Sequence, residues 1–284
     1  MFGSSLFYDS VEKSQKKLTY GSRWRGTIDS NVIERARRIH SLMVQDAARE
    51  IFFQSSGMWQ YLKNEQARFY IQFGTTRRLE MIWYAYNNLA MTVPSNRTKP
   101  LDFTESRQLS QDLNVIYMNI RGVLDNLAWA LLYEFSPTTV TKLKPAKIGL
   151  FQPCVRHNPV LVQIKPIIDA NETWDRDVKE RRDPTVHRIP LAIPPSILNQ
   201  REQDEYYLLE GEYEEAIRER DFDRADGILN SQRELGTFRA WFTHDPEFAP
   251  MEMYPTVPDD IAHLIQLFEN IALIFAKPSP SCAS

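Results

Sequence analysis

Leu113, Ile116, Ile120, Leu124, Leu127 and Leu131 recur at steps of three and four residues and form one unbroken apolar stripe. A stripe of that kind must be buried against other helices, and it predicts a long helix ending near Phe135. Met118, Gly122 and Trp129 fall on the opposite side of the same wheel. A tryptophan behind the main stripe means the helix is covered on two faces, so it is either central in a bundle or used in a homodimer. Arg121 and Asp125, one turn apart on its flank, read either as a surface ion pair or as a carboxylate that orients an active-site arginine or histidine.

Stripes of similar width run along the rest of the chain. One covers 30–53 (Ile33, Ala36, Ile39, Met43, Ala47, Ile51), with Ser30 as its cap and Ser55-Ser56-Gly57 as its break. A second covers 58–93, with Gly74 as a weak point and Pro94 as its stop. The last (Ile261, Leu264, Ile265, Phe268, Ile271, Phe275) starts from Asp259 or Asp260 as a cap. Between them, 136–165 reads as loop, 166–182 as a helix and 191–195 as an extended crossing. Residues 206–220 and 222–235 form a very polar helical pair, and 237–243 reads as a short strand. Gly is scarce, at 10 residues, which argues against a turn-rich all-β fold and against glycine-loop nucleotide cradles. The expected fold class is all-α. It is a helical bundle with a polar helical-hairpin insertion at about 200–240 and at most one or two short strands. One domain over 29–276 would follow an arm at 1–28 and precede a disordered tail at 277–284.

The formal net charge is −3, but it is unevenly placed: +8 over residues 1–200 and −11 over 201–284. This reads as a basic surface for an anion with an acidic segment able to screen it, or simply as a solvated acidic insertion. The acidic 202–236 region is also a candidate docking surface for a protein partner. Two cysteines give neither a disulfide framework nor zinc-ligand spacing. No basic start with an apolar run follows the N-terminus, and no stretch of about 18 apolar residues exists. The expectation is a cytoplasmic protein with no membrane contact, no metal and no cofactor. There is no glycine-rich phosphate loop, no Gly-x-Ser-x-Gly elbow and no His-Glu-x-x-His pair. His40, His157, His244 and His263 stand alone.

The run Arg181-Arg182-Asp183-Pro184-Thr185-Val186-His187-Arg188 is different. Asp183 is a good N-cap and Pro184 suits a first helical position, so a short helix is expected to start there and stop at Ile189-Pro190. That would hold a guanidinium, an imidazole and a helix N-terminus close together, and each favours a phosphate.

Arg182-Asp183-Pro184-Thr185-Val186-His187 resembles the signature of the HEPN superfamily of small all-helical proteins: an arginine, a polar residue, a short spacer and a histidine. The helix containing Leu124-Asp125-Asn126-Leu127-Ala128-Trp129-Ala130-Leu131 resembles that of bacterial proteins of the same type. The likeness covers 60–195 and the last helix. Its implication is a metal-independent endoribonuclease acting as a homodimer, in phage defence or toxin–antitoxin growth arrest. The alternative within the same family is a non-catalytic binding module for nucleotide, RNA or a partner protein. Cleavage without metal needs a base for the ribose 2′-OH, an acid for the leaving oxygen and a cation for the phosphorane. His187 can be base or acid but not both at once, so two copies of the motif would meet across a two-fold axis. The resemblance makes Arg182 and His187 catalytic. Asp183 would cap the turn, Asp125 and Arg121 would support it, and Arg181 and Arg188 would add RNA phosphate contacts.

Overall fold

The computed structural model of the protein describes residues 30–244 and 250–276, and the side chains of all of these except Ser30, Val186 and His187. The expected arm at 1–28 and tail at 277–284 lie outside the described residues.

Helix α1 (Ser30–Met58) runs past its expected end. Ser55 and Ser56 turn their hydroxyls onto the carbonyls of Phe52 and Phe53, at 2.7 and 2.6 Å. Gly57 costs a helix only about 1 kcal/mol, so nothing at this triplet stops it. The expected continuous helix over 58–93 is instead broken. A 3-10 turn (Trp59–Tyr61) leads to Asn64, whose side chain accepts from the N–H groups of Gln66 and Ala67 and so caps α2 (Glu65–Phe69). Glu134 accepts from the N–H groups of Lys63 and Asn64. A wide π turn (Tyr70–Thr75), holding Gly74, then joins α2 to α3 (Thr76–Thr92).

Helix α4 (Phe103–Phe135) carries the defining stripe, and all six of its stripe residues are fully buried. Asp102 and Glu105 make a capping box at its start. Arg97 binds Glu105 and the carbonyls of Thr92 and Pro100, which closes the loop from α3.

Residues 136–165 are a string of helical turns, not open loop: Pro137–Val140, Pro145–Lys147, Pro153–Arg156 and Pro159–Ile164. Each starts on a proline, which has no N–H to leave unpaired there. Helices α5 (Lys165–Ala170) and α6 (Glu172–His187) follow. Helix α6 passes straight through Pro184, so the expected fresh start there, capped by Asp183, does not form. Proline removes one ladder bond. Past it the Thr185 hydroxyl donates to the Arg181 carbonyl at 3.2 Å, and the backbone ladder ends with the Arg188 N–H on the Pro184 carbonyl at 2.7 Å.

The extended crossing at 191–193 is pinned to α4 by side chains one turn apart. Asn114 bonds both the N–H and the carbonyl of Leu191, Ser110 accepts from the Ile193 N–H, and Ser106 donates to the Ile193 carbonyl. Helices α7 (Gln200–Glu219) and α8 (Phe222–Arg233) form the expected hairpin, which starts earlier than expected because Asn199 and Glu202 make a capping box. Its own small cluster, Ala216, Ala225 and Ile228, is separate from the main core. Ile197 and Thr237, at its two ends, exchange N–H···O=C bonds in both directions. Strand β1 (Trp241–Phe242) pairs antiparallel with β2 (Met251–Glu252), Trp241 opposite Glu252.

Helix α9 (Met253–Ala276) begins before both Asp259 and Asp260, so neither caps it. The packing closes a ring: α3 lies on α4 and α1, α9 on α1 and α6, and α6 on α4. The fold is all-α, with one two-stranded sheet among the described residues. None of their helices is long and apolar enough to cross a membrane.

Candidate functional site

The face of α4 that bears Met118, Gly122, Asp125 and Trp129 is not fully covered. Of the charged residues singled out in the sequence, Arg121, Asp125 and Arg182 act on one another there.

Asp125 lies among three guanidinium groups: Arg121 from its own helix, Arg182 from α6 and Arg78 from α3. All three favour its carboxylate form. Burial outweighs them and holds the carboxyl above the usual aspartate value, with the charge on Asp175 adding to the rise. The loop at Gly149 closes over Asp125, whose Oδ1 would lie 3.5 Å from a Cβ placed there.

Each guanidinium is held differently. Arg78 lies across Gly122 and donates to Asn119 Oδ1 at 3.0 Å. Asn119 donates in turn to the Val115 carbonyl at 2.8 Å, which fixes the way its amide faces. Arg121 does not take Asp125 as its partner. It pairs with the buried Asp175, which Lys179 also reaches at 2.8 Å. A carboxylate that deep needs a cation more than Asp125 does. Arg182 pairs with Asp183 at 3.1 Å, while its buried Nε has no hydrogen-bond partner among the described residues. Asp183, expected as a cap, is an exposed ion-pair partner.

Arg181 turns the other way. Its guanidinium reaches Asp260 at 3.0 Å and sits 5.8 Å from the centre of the Tyr117 ring. Asp260 also accepts from the Tyr117 hydroxyl at 2.8 Å and from Trp174 Nε1 at 3.1 Å. Burial lifts the Asp260 carboxyl to about 6, against the pull of Arg181 and the hydrogen bonds. Successive side chains on a helix diverge by about 100°. Arg182 therefore points away from Asp260 and acts on the charge of Asp125, while Arg181 is a core cation and not the phosphate contact it was expected to be.

Arg188 is exposed just beyond α6. Because α6 does not restart at Pro184, this is a helix C-terminus, whose partial charge is negative. The expected N-terminal anion site is absent, and a phosphate here must be held by side chains. His187 is the last residue of α6, and its side chain lies outside the described residues.

Arg78 is the functional candidate that sequence reasoning missed. Its one signal was Gly122, a glycine inside the most regular helix of the chain, on the same side of the wheel as Asp125. Gly74 marks a similar approach, since a Cβ there would meet the Asn126 side chain at 2.6 Å. Trp129 stacks on Tyr70 at 5.2 Å and on Tyr133 at 5.8 Å, and remains half-buried.

Three guanidiniums thus act on one carboxyl that is reluctant to ionise, and guanidiniums can hold an oxyanion through paired N–H donors. No group of three His, Cys, Asp or Glu placed to hold a metal ion occurs among the described residues. Compared with protein-family models, curated proteins and solved structures, the chain has no match.

Proposed function

We propose that the protein is a HEPN-like, metal-independent endoribonuclease working as a homodimer, with a role in defence or growth arrest. One observation carries this reading: the guanidinium of Arg182, from the family-like run that ends in His187, acts on the charge of Asp125 together with those of Arg78 and Arg121. A phosphodiester at this point would take a bidentate contact from Arg182. Arg78 and Arg121 would offset the charge that develops on the phosphorane. His187 of one copy would serve as base and that of the second copy as acid.

The test is cleavage of RNA in EDTA by wild type, Arg182→Ala and His187→Ala, together with sedimentation. Equal cleavage by all three removes the catalytic assignment. Cleavage by a monomer removes the two-fold site.

A second reading is a binding module without cleavage. The separately cored acidic hairpin supports it, because Tyr207 and Leu208 stand 72% and 71% exposed there, as a partner surface would. If deleting the hairpin changes no partner or RNA affinity, that reading fails.

A further inference from the structure

The segment that faces the uncovered side of α4 has a distinctive composition. Residues 66–79 carry three arginines (Arg68, Arg77, Arg78), three aromatic rings (Phe69, Tyr70, Phe73) and no carboxylate. The segment runs antiparallel to α4 in a fixed register. Tyr70 meets Trp129 and Tyr133, Gly74 meets Asn126, and Arg78 meets Gly122 and Asn119. Tyr70, Gly74 and Arg78 lie against α4, and Phe69, Phe73 and Arg77 stand one step around the helix, so rings and cations form two adjoining lines of one strip. Trp129 stands one turn from Asp125, about 6 Å along the axis.

Two rings of the strip lie open. Phe69 and Phe73 are 54% and 43% exposed, with centroids 5.3 Å apart, and the Arg77 guanidinium sits 5.0 Å over Phe73. Apolar rings held in water beside cations, with carboxylates only at the two ends of the segment (Glu65 and Glu80), match the makeup of single-strand nucleic-acid grooves. In such grooves bases stack on aromatic faces and arginines follow the backbone. The wide π turn at Tyr70–Thr75 places this cluster, and such turns are frequent at functional sites.

We infer that this strip is a base-stacking subsite for single-stranded RNA. An unpaired base covers Phe69 and Phe73, and a neighbouring phosphate rests on Arg78 and Arg182. The choice of RNA rests on the ribonuclease reading above. The strip itself rests on the register and composition just described.

The test uses the full chain and labelled 12-nucleotide 2′-O-methyl oligouridylate, which lacks the attacking hydroxyl and is not cut. A matched strand has abasic sugars at its centre. Wild type is expected to bind the base-bearing strand about tenfold more tightly than the abasic one. In a Phe69→Ala/Phe73→Ala variant the ratio falls to near one, while affinity for the abasic strand holds. Arg78→Ala weakens both strands alike and lowers the salt slope by about one. A wild-type ratio retained in the double variant overturns the inference, as does wild type that binds neither strand. A double variant that turns a dimer into a monomer without changing the ratio assigns the rings to a second copy and also overturns it. Cleavage in EDTA with a ratio of one defeats this inference and leaves the nuclease. A tenfold ratio without cleavage does the reverse.

Discussion

The guanidinium of Arg78 occupies the space where a side chain at position 122 would begin: a Cβ on Gly122 would lie 2.3 Å from its central carbon. Gly122→Ala must therefore push Arg78 aside without touching its chemistry. Alanine gains about 1 kcal/mol of helix propensity, and the lost bond to Asn119 costs about the same. Thermal stability is expected to stay close to wild type, while affinity for a 2′-O-methyl oligouridylate falls about as far as in Arg78→Ala. Wild-type affinity in Gly122→Ala, read beside its melting temperature, would show that Arg78 does not contact the anion.

Asp125 holds its proton to higher pH than an ordinary aspartate, chiefly because it is buried. Its ionised form opposes an incoming anion and its neutral form does not. RNA affinity is therefore expected to strengthen as pH falls through the Asp125 titration, above the usual aspartate value. Asp125→Asn should bind more tightly at neutral pH, and the carboxyl's share of the pH dependence should disappear. Comparing the two proteins over the same series between about pH 4 and 7 separates the carboxyl from the imidazoles. Parallel curves for the two would count against a phosphate near Asp125.

Asp260 bears on stability. Its folded value of about 6 lies above the unfolded aspartate value, so between them the folded chain binds more protons. Its contribution therefore favours folding at low pH, and that stability is lost as pH rises through about 4 to 6, by roughly 3 kcal/mol at about 1.4 per pK unit. Asp260→Asn should flatten this slope in urea unfolding. Asp260→Ala should cost about 3–5 kcal/mol, because it leaves the Arg181 cation without its partner. Arg181→Met in the same chain should recover part of that loss.

The acidic hairpin should be dispensable for folding. Its apolar cluster is its own, and its ends already meet where Ile197 and Thr237 pair. Replacing 199–235 with a short glycine-containing turn is expected to leave the melting temperature of the body within a few degrees, since few buried contacts are lost. A collapse in stability would mean that α7 and α8 support the core.

What was legible in the sequence was local and periodic. The stripe from Leu113 to Leu131 and the last helix repeat without interruption, so α4 and α9 could be read directly. Asn64 was hidden because apolar residues keep a helical spacing on both sides of it, while its side chain caps a new helix of five residues. Pro184 was misread because a local preference pointed to a helix start, whereas α6 carries its bonding past it, from Thr185 to the Arg181 carbonyl and from Arg188 to the Pro184 carbonyl. In the site, Arg182, Asp125 and Arg121 each belong to a short pattern and could be named. Arg78 could not, because its partner Asn119 is 41 residues away on another helix. Nothing local separates Arg181 from Arg182. Only the buried carboxylate at 260 decides which one turns inward.

The turn at Tyr70–Thr75 also sets the rotational phase between α2 and α3. Each α-helical residue advances the wheel by about 100°. Removing one residue from this turn would spin α2 by about that angle, carrying Tyr70 off Trp129 and Phe69 off Phe73 while Arg78 kept its seat on Gly122. A change of length in the hairpin is expected to leave the body's packing intact. Here a single-residue deletion would act as a clutch, disengaging the rings from the cations without altering any of them.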